Sequence, residues 1–454
     1  MKFKYDKCDK CGVCLEKCPE VQMDSDSAKA AISQLMEGTS GRGAKEVLSR
    51  CSSCFSCNIY CPNDADPYYL VLERWNDIYK KKGAPPIFGF VCPNRKDNAW
   101  TMLNSLATDG ERSQFRKWAE NEREILKGSL PKKKPLILGN YGHLFPHITD
   151  SPLFDNFAVV DPIGHWESGA YLMQAGYSEV VEEIGSIAKN FYDALGGGEV
   201  YILTDAVNIL MNDLRPEIYG IEAKTKSFTH TLKEALKGKK TPFGKVGLKK
   251  KVGLKLSVHD SCYAKAEGDE IFDDAREVLS ATGAEVVELC HNRSDSHCCG
   301  FGRGAANISK IRVPFEIMKG AMRKLKEAED AGADGLVTYC TGCMYLLWSA
   351  RELMGSRVAV YHLTEPVTMA MGEYKYADLK RQRERAWDII SQITYTYTKS
   401  LFQGRFKIGD VSKNLYSPEV ARSYPILRVI RALLSIGLFR KAYALGFRAL
   451  TRVL

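Results

Sequence analysis

The chain has 454 residues, 45% of them apolar and 26% charged, with fifteen cysteines and a formal charge of +9. Such a length exceeds one compact core and such a composition is ordinary for a soluble globular protein, so two to four domains are expected. The charge is uneven: residues 415–454 hold +6 of it and the other 414 only +3, which excludes a basic nucleic-acid-binding surface on the body.

The start, Met1-Lys-Phe-Lys-Tyr-Asp-Lys-Cys8, has no apolar h-region, so neither secretion nor a disulfide framework is expected. Thiolate clusters in a reducing cytoplasm fit the cysteines better. No run of about 18 uncharged apolar residues occurs, and no membrane-spanning helix is expected.

Residues 1–65 carry two four-cysteine runs, Cys8-x2-Cys11-x2-Cys14-x3-Cys18-Pro19 and Cys51-x2-Cys54-x2-Cys57-x3-Cys61-Pro62. Between them Asp24-Ser-Asp-Ser precedes an Ala-rich periodic stretch and predicts a capped helix. Tyr68, Leu70, Leu72, Trp75 and Ile78 predict another, and 112–127 a charged one. Pro131-Lys-Lys-Lys-Pro135 reads as a linker.

Two stretches then read as diverged copies of one strand–helix–strand unit. Pro135–Gly139 and Glu199–Asp205 are the strands of the first, Val252–Val258 and Asp334–Cys340 those of the second. Alternating strands and helices imply a parallel sheet. The basic segment Lys237–Lys251, with its short repeat Lys-Val-Gly-Leu-Lys, separates the copies as a solvated loop.

A cubane [4Fe–4S] cluster needs four converging thiolates, and in runs of this spacing the fourth cysteine serves the other cluster. Two such clusters follow: one on Cys8, Cys11, Cys14 and Cys61, the other on Cys18, Cys51, Cys54 and Cys57. A zinc pair would use separated C-x2-C pairs and fits these Cys-Pro-ended runs poorly. The helical insert resembles the α-helical ferredoxin domains of multi-subunit redox enzymes, such as the iron–sulfur subunit of succinate dehydrogenase.

The third cysteine group is spread out: Cys262, then Cys298-Cys299-Gly300-Phe-Gly302-Arg-Gly304, then Cys340-Thr-Gly-Cys343. His259-Asp-Ser-Cys262 falls at a strand end, where ligand sites of α/β sheets gather. Adjacent cysteines suit neighbouring irons of a cluster better than one tetrahedral metal. The glycines allow a tight loop to approach a bulky cofactor with free backbone N–H groups.

His-Asp-Ser-Cys, Cys-Cys-Gly-Phe-Gly-Arg-Gly and Tyr-Cys-Thr-Gly-Cys resemble the cysteine-rich "CCG" domain of heterodisulfide reductase catalytic subunits. The same domain occurs in the C subunit of anaerobic glycerol-3-phosphate dehydrogenase and in related electron-transfer proteins. Ferredoxin runs followed by two such domains resemble the D subunit of membrane-linked heterodisulfide reductase, over roughly residues 1–370. The resemblance implies a noncubane [4Fe–4S] cluster on Cys262, Cys298, Cys299, Cys340 and Cys343 that can bind and reduce a disulfide. Cys298 and Cys299 would be catalytic, with Gly300, Gly302 and Gly304 against the cofactor.

The first copy lacks every one of these cysteines. Gly139-Asn-Tyr-Gly-His143, Ile163-Gly-His-Trp166 and Thr204-Asp205-Ala-Val-Asn208 stand in their places. It is expected to survive as scaffold, with His143, His147 and His165 as buried hydrogen-bonded side chains more than as ligands. Cys290, ending Val-Val-Glu-Leu, reads first as a buried strand-end thiol, and Cys92 as packing.

The expected architecture is α+β and multidomain. Residues 1–130 form an α-helical ferredoxin domain, 131–240 a degenerate CCG-like repeat, 250–370 the CCG domain and 371–454 a helical basic tail. In the tail Pro425 opens a helix and Gly437 interrupts it. Phe439, Tyr443, Phe447, Leu450 and Leu454 share one face beyond the break, with Lys441, Arg448 and Arg452 opposite. Such a helix lies on an anionic membrane or docks on a partner; packing on its own domain is the plainer alternative. The expected protein is an iron–sulfur oxidoreductase subunit, cytoplasmic or peripheral on the inner face of the cell membrane through 416–454. The alternative is a relay with no substrate, coupling a flavoprotein to a membrane cytochrome or quinone-linked subunit. No nucleotide fingerprint occurs, so flavin or nicotinamide would sit on a partner.

Overall fold

The first 126 residues build helices because each helix has its own stop and start signals. In this computed structural model Asp24 caps the helix Ser25–Glu37 by accepting from the Ser27 N–H at 2.9 Å. Pro67 sits in the first turn of Pro67–Lys82, and Thr108 and Glu111 form a reciprocal capping box on Asp109–Leu126. Trp75 is buried and donates its indole N–H to the Leu48 carbonyl, tying the 67–82 helix to Arg42–Arg50. The structure describes residues 2–453 apart from 93–94, 130–131, 140, 161–188, 205–219, 221–223, 304–309 and 408–421. The sequence readings at Ile163–Trp166, at Asp205–Asn208 and at Gly304 and Leu454 therefore lie outside the described residues.

Two four-stranded parallel sheets follow. In the first, β1 (Lys134–Ile137) lies between β2 (Phe157–Val160) and β3 (Glu199–Ile202), and β4 (Lys224–Ser227) closes the edge. In the second, β5 (Lys255–His259) lies between β6 (Glu285–Val286) and β7 (Gly335–Thr338), and β8 (Ala359–His362) closes the edge. The two spatial orders are the same. β2, β7 and β8 are buried at every position, as strands covered on both faces must be. The segment between Lys237 and Lys251 has no regular structure, and the Lys249 and Lys250 N–H groups donate to the Ala370 carbonyl.

The C-terminal edges of the two sheets face each other. Thr204, just past β3, lies 3.2 Å from Thr341, just past β7, and also donates to the Leu138 carbonyl past β1. The long helix Lys380–Leu401 belongs to the body and not to a tail. Its Trp387, Ile389 and Ile390 are buried, and Arg385 donates to the carbonyls of Leu144 and Leu103.

Two helices end the chain, Pro425–Leu433 and Gly437–Val453, so the break at Gly437 is where the sequence puts it. The face expected to meet a membrane is partly spent on the protein itself. Phe447 packs on Phe315 with centroids 4.9 Å apart, Tyr443 bonds Thr394 at 2.7 Å, and Arg448 donates to the Met354 carbonyl. Ring burial against the body outweighs exposure of those rings. Ile426, Val429, Ile436, Leu438, Leu445 and Val453 remain exposed. Among the described residues no helix is long and apolar enough to cross a membrane.

Candidate iron–sulfur centres

All fifteen cysteines are free thiols. Cys14 stands on the short helix Val13–Glu16 and Cys61 just past Ser56–Tyr60, and these helices pack on each other. Gly12 takes φ 78°, and a Cβ there would lie 2.6 Å from the Lys29 backbone nitrogen, so this loop needs glycine to seat on the 25–37 helix. Burial pushes the Cys14 thiol up to about 12, with the charges of Cys61, Cys11 and Cys8 adding to it. Burial likewise raises Cys51, helped by Cys54 and Cys18, and pushes Cys18 up to about 11, helped by Cys54. Cys57 is raised by burial and then by the charges of Cys51 and Cys14. Charges thus act among Cys8, Cys11, Cys14 and Cys61 and among Cys18, Cys51, Cys54 and Cys57, and Cys57 also feels Cys14.

The third group is assembled at the carboxyl end of the second sheet. Cys262 follows β5, Cys340 follows β7, and Cys343 sits in the first turn of the helix Thr341–Met354. Parallel strands collect their loops at this end, and the helix N-terminus offers positive partial charge to thiolates there. Cys298 and Cys299 come from the loop after β6. Their sulfurs run in a line of contacts, Cys262 to Cys298 to Cys299 to Cys343 to Cys340. Cys298 is the member held low, because Cys262 and Cys299 donate to it; the Gly300 N–H adds a bond of 3.3 Å. Gly300 has φ 97°, and a Cβ on it would lie 2.3 Å from the Ile317 carbonyl oxygen.

His259 is fully buried, and its ring lies with Cys299 and Cys343 in a set whose ligand atoms are within 4.8 Å of one another. Neither ring nitrogen has a hydrogen-bond partner, and burial with nearby Lys324 pushes its pKa down to about 3, so the ring is neutral. Five converging thiols beside an unpartnered neutral imidazole are a soft donor set, and it fits iron–sulfide.

The loop carrying this group rests on the second ferredoxin loop. Cys298 Sγ lies 3.8 Å from the Ser52 carbonyl. A Cβ on Gly302 would meet that carbonyl at 2.4 Å, so the space Gly302 leaves is filled by Ser52 and Ser53. Arg303 bridges Glu316, at 2.9 Å, and Glu20, two residues past Cys18. Lys265 is buried and donates to Ser56 Oγ at 2.6 Å and to the Ser296 carbonyl at 2.7 Å. Phe55 and Tyr263 meet at a tilt, with ring centroids 5.4 Å apart, across the same seam.

Several supporting groups carried no sequence signal. Asp260, one residue past His259, accepts from both terminal nitrogens of Arg276 at 3.0 Å and from the Arg293 N–H at 2.6 Å. Ser296 donates to the Asp260 carbonyl, so one aspartate fixes the whole Cys298 loop. Cys290 departs from expectation. β6 spans only Glu285–Val286, the chain leaves the sheet, Leu289 turns inward and the Cys290 thiol is exposed, 3.2 Å from His291 Nδ1. Cys92 is buried packing, its thiol pushed up to about 12 by burial. His147 lies 3.3 Å from Glu365 and stacks on Trp348, whereas His143 is buried with no hydrogen bond from either ring nitrogen among the described residues.

Beyond Phe301 lies an apolar cavity of about 60 Å³ walled by Phe88, Tyr141, Phe301, Met318 and Tyr345. Tyr141 comes from the first sheet unit and also covers Gly342, between Cys340 and Cys343. The cavity holds about four water-sized positions, enough for a small group and far short of a dinucleotide cofactor.

Residues 7–66 match the 4Fe-4S dicluster domain and residues 256–347 the CCG cysteine-rich domain. The chain carries both domains. Its homologues are the C and D subunits of heterodisulfide reductase and related iron–sulfur proteins. The B subunit of the fumarate reductase (CoM/CoB) of Methanothermobacter marburgensis is 20% identical over 81% of this chain and 72% of its own length. The D subunit of the dihydromethanophenazine:CoB–CoM heterodisulfide reductase of Methanosarcina acetivorans is 25% identical over 46% of this chain and 50% of its own. The EtfAB:quinone oxidoreductase of Syntrophomonas wolfei is 36% identical over 23% of this chain and 15% of its own. This chain therefore spans half or less of the last two. The protein is an iron–sulfur electron-transfer subunit related to these.

Asp260→Asn will leave Glu288 as the carboxylate partner of Arg276 and weaken the anchor of the Cys298 loop, at a cost of roughly 1–3 kcal/mol. The thermal midpoint should fall and tryptic cleavage after Arg293 should accelerate. Unchanged cleavage would show that the aspartate does not hold the loop.

Proposed function

We propose that two cubane [4Fe–4S] clusters, on Cys8, Cys11, Cys14 and Cys61 and on Cys18, Cys51, Cys54 and Cys57, feed a third cluster on Cys262, Cys298, Cys299, Cys340 and Cys343. There two electrons reduce a disulfide or a comparable small two-electron acceptor. The observation that carries this is the meeting of the two loops: Cys298 Sγ lies 3.8 Å from the backbone between Cys51 and Cys54, and Cys57 feels the charges of both Cys51 and Cys14. Iron–sulfur clusters on these thiols would supply one-electron carriers along that line and, at its end, iron open to a substrate sulfur. For a disulfide the S–S bond breaks, and two electrons and two protons give two thiols. The electrons come from a redox partner that binds near Cys8 and Cys11, where Asp9 and Lys10 are exposed.

The apolar cavity behind Phe301 supports a substrate at the third group. None of the five cysteines lines it, which favours the second reading, a relay without a substrate, in which the chain couples a flavoprotein partner to a quinone-linked membrane component. Cys298→Ser should abolish one of three paramagnetic signals and leave two. Titration of the oxidised wild type with thiols and disulfides should then alter the vanished signal alone. A third signal that ignores every compound tried removes the catalytic reading and leaves the relay.

Gly302→Ala tests the path. It forces the two loops apart without touching a thiol, so iron content should hold while electron delivery to the third group slows tenfold or more in rapid-mixing traces. Equal rates in wild type and variant would place the path elsewhere.

We propose further that the exposed apolar side chains of the last two helices, with Arg428, Lys441 and Arg452 around them, seat the protein on an anionic membrane surface. Each buried Leu, Ile or Val is worth about 1.5–3 kcal/mol, and 1.4 kcal/mol is tenfold in affinity. Ile426→Glu with Leu438→Glu should therefore weaken co-sedimentation with phosphatidylglycerol vesicles at least a hundredfold while both domains stay folded. Unaltered sedimentation would overturn the membrane seat.

A further inference from the structure

Lys265 is a buried cation whose hydrogen-bond partners are all neutral. Its ammonium donates to Ser56 Oγ at 2.6 Å and to the Ser296 carbonyl oxygen at 2.7 Å. An ammonium carries three donors and no acceptor, and among the described residues no carboxylate pairs with this one. The other cations around the same cysteine loop are paired. Lys324 meets Glu327, Arg276 meets Asp260 and Glu288, and Arg303 meets Glu20 and Glu316.

The chain places this charge between two groups of thiols. Lys265 stands on the short helix Ala264–Glu267, three residues past Cys262. Ser56 opens the helix that carries Cys57, and its hydroxyl also accepts from Cys54 Sγ at 3.3 Å. Ser296 lies two residues before Cys298, and its own hydroxyl donates to the Asp260 carbonyl. One ammonium thus ties the second ferredoxin loop to the Cys298 loop without bonding to any sulfur. A buried cation with neutral partners needs negative charge nearby. Protonated thiols do not supply it, whereas thiolates holding metal do. Burial also shields the charge from salt.

We propose that Lys265 sets the reduction potentials of the second ferredoxin group and of the five-cysteine group together, as one fixed positive charge shared by both. This rests on the reading above, in which both groups hold iron–sulfur clusters. The charge favours the state with one more electron on either group. A unit charge about 12 Å from a redox centre, at an effective dielectric constant of about 20, biases a one-electron equilibrium roughly tenfold. Because both groups feel the same ammonium, both become easier to reduce and the step between them stays nearly level. Lys265 touches neither a sulfur nor a substrate, so it is a positioning residue for the charge and takes no part in bond making.

The test is a redox titration of the full-length iron-loaded protein followed by its paramagnetic signals. Lys265→Gln keeps a donor for the Ser56 and Ser296 oxygens and removes the charge. Lys265→Met removes both, and Lys265→Arg keeps both. In the Gln and Met variants, one ferredoxin signal and the third signal, the one lost in Cys298→Ser, should move to more negative midpoints. The tenfold bias corresponds to about 59 mV for one electron. Iron content should hold in all three variants, and Lys265→Arg should keep the wild-type midpoints. Midpoints unmoved in Lys265→Gln would reduce the lysine to a hydrogen-bonding tie and overturn the proposal, whatever Lys265→Met does. A shift in Lys265→Arg as large as in Lys265→Gln would overturn it too, by tracing the effect to packing. Wild type without a third signal would fail the reading of the five cysteines, and the ferredoxin signal alone would then decide for or against Lys265.

Discussion

A Cβ at Gly302 would stand 2.4 Å from the Ser52 carbonyl oxygen, and most of the molecule serves to keep that approach possible. The loop between Cys51 and Cys54 and the loop after Cys299 meet backbone to backbone, closer than any side chain would permit. Arg303 then locks the contact through Glu20, and Lys265 and Tyr263 seal it from the other flank. Asp260 supplies the matching rigidity from within the second sheet. A sulfur group that must exchange electrons with its neighbour gains from a seam of this kind, since a shift of an ångström moves both donor and acceptor.

The first sheet unit takes its meaning from the same site. It has the strand order of the second and no cysteine, and its carboxyl edge is turned toward the five thiols. Thr204 reaches Thr341, and Tyr141 lies over Gly342 and walls the cavity beside Phe301. These positions follow β1 and β3, where the second unit carries Cys262 and Cys340 after β5 and β7. A unit that turns a tyrosine and a threonine of this edge toward the thiols covers them. It lies over thiols of which Cys262, Cys299 and Cys343 are raised first by hydrogen bonds within the group and then by burial.

The two groups of four are legible from the cysteine runs, because in runs of this spacing the fourth cysteine serves the other cluster. The capped helix at Asp24 and the break at Gly437 were equally legible, since caps and glycines act locally. The sheets were only half legible. β4 is Lys-Thr-Lys-Ser, with no apolar alternation, because it is an exposed edge, and β6 is two residues long. Cys290 misleads because its apolar neighbours suggest a longer strand than the chain forms. Asp260 lay inside the His-Asp-Ser-Cys motif with its role unread, and Arg276, Glu20 and Lys265 could not be found from the sequence, because each is defined by a partner 16 to about 300 residues away. The tail's amphipathic face is correct as a pattern and incomplete as a function, since periodicity does not say whether a face meets lipid or the body.

Lys265 gives the site its electrostatic sense. Its ammonium is buried between the second ferredoxin group and the third group, and both of its acceptors, a serine hydroxyl and a backbone carbonyl, are neutral. Ser56 accepts at 3.3 Å from Cys54 as well, so the lysine is one hydroxyl away from a sulfur of one group and one loop away from Cys298 of the other. Burying a cation costs several kcal/mol unless negative charge lies near. Thiolates on both sides supply that charge when metal has replaced their protons. Were clusters held on both groups as proposed, the dependence would be mutual, for the same ammonium would make an added electron on either less costly. An uncharged residue of equal size would pack as well, but it would leave the seam between the two thiol groups without its buried positive charge.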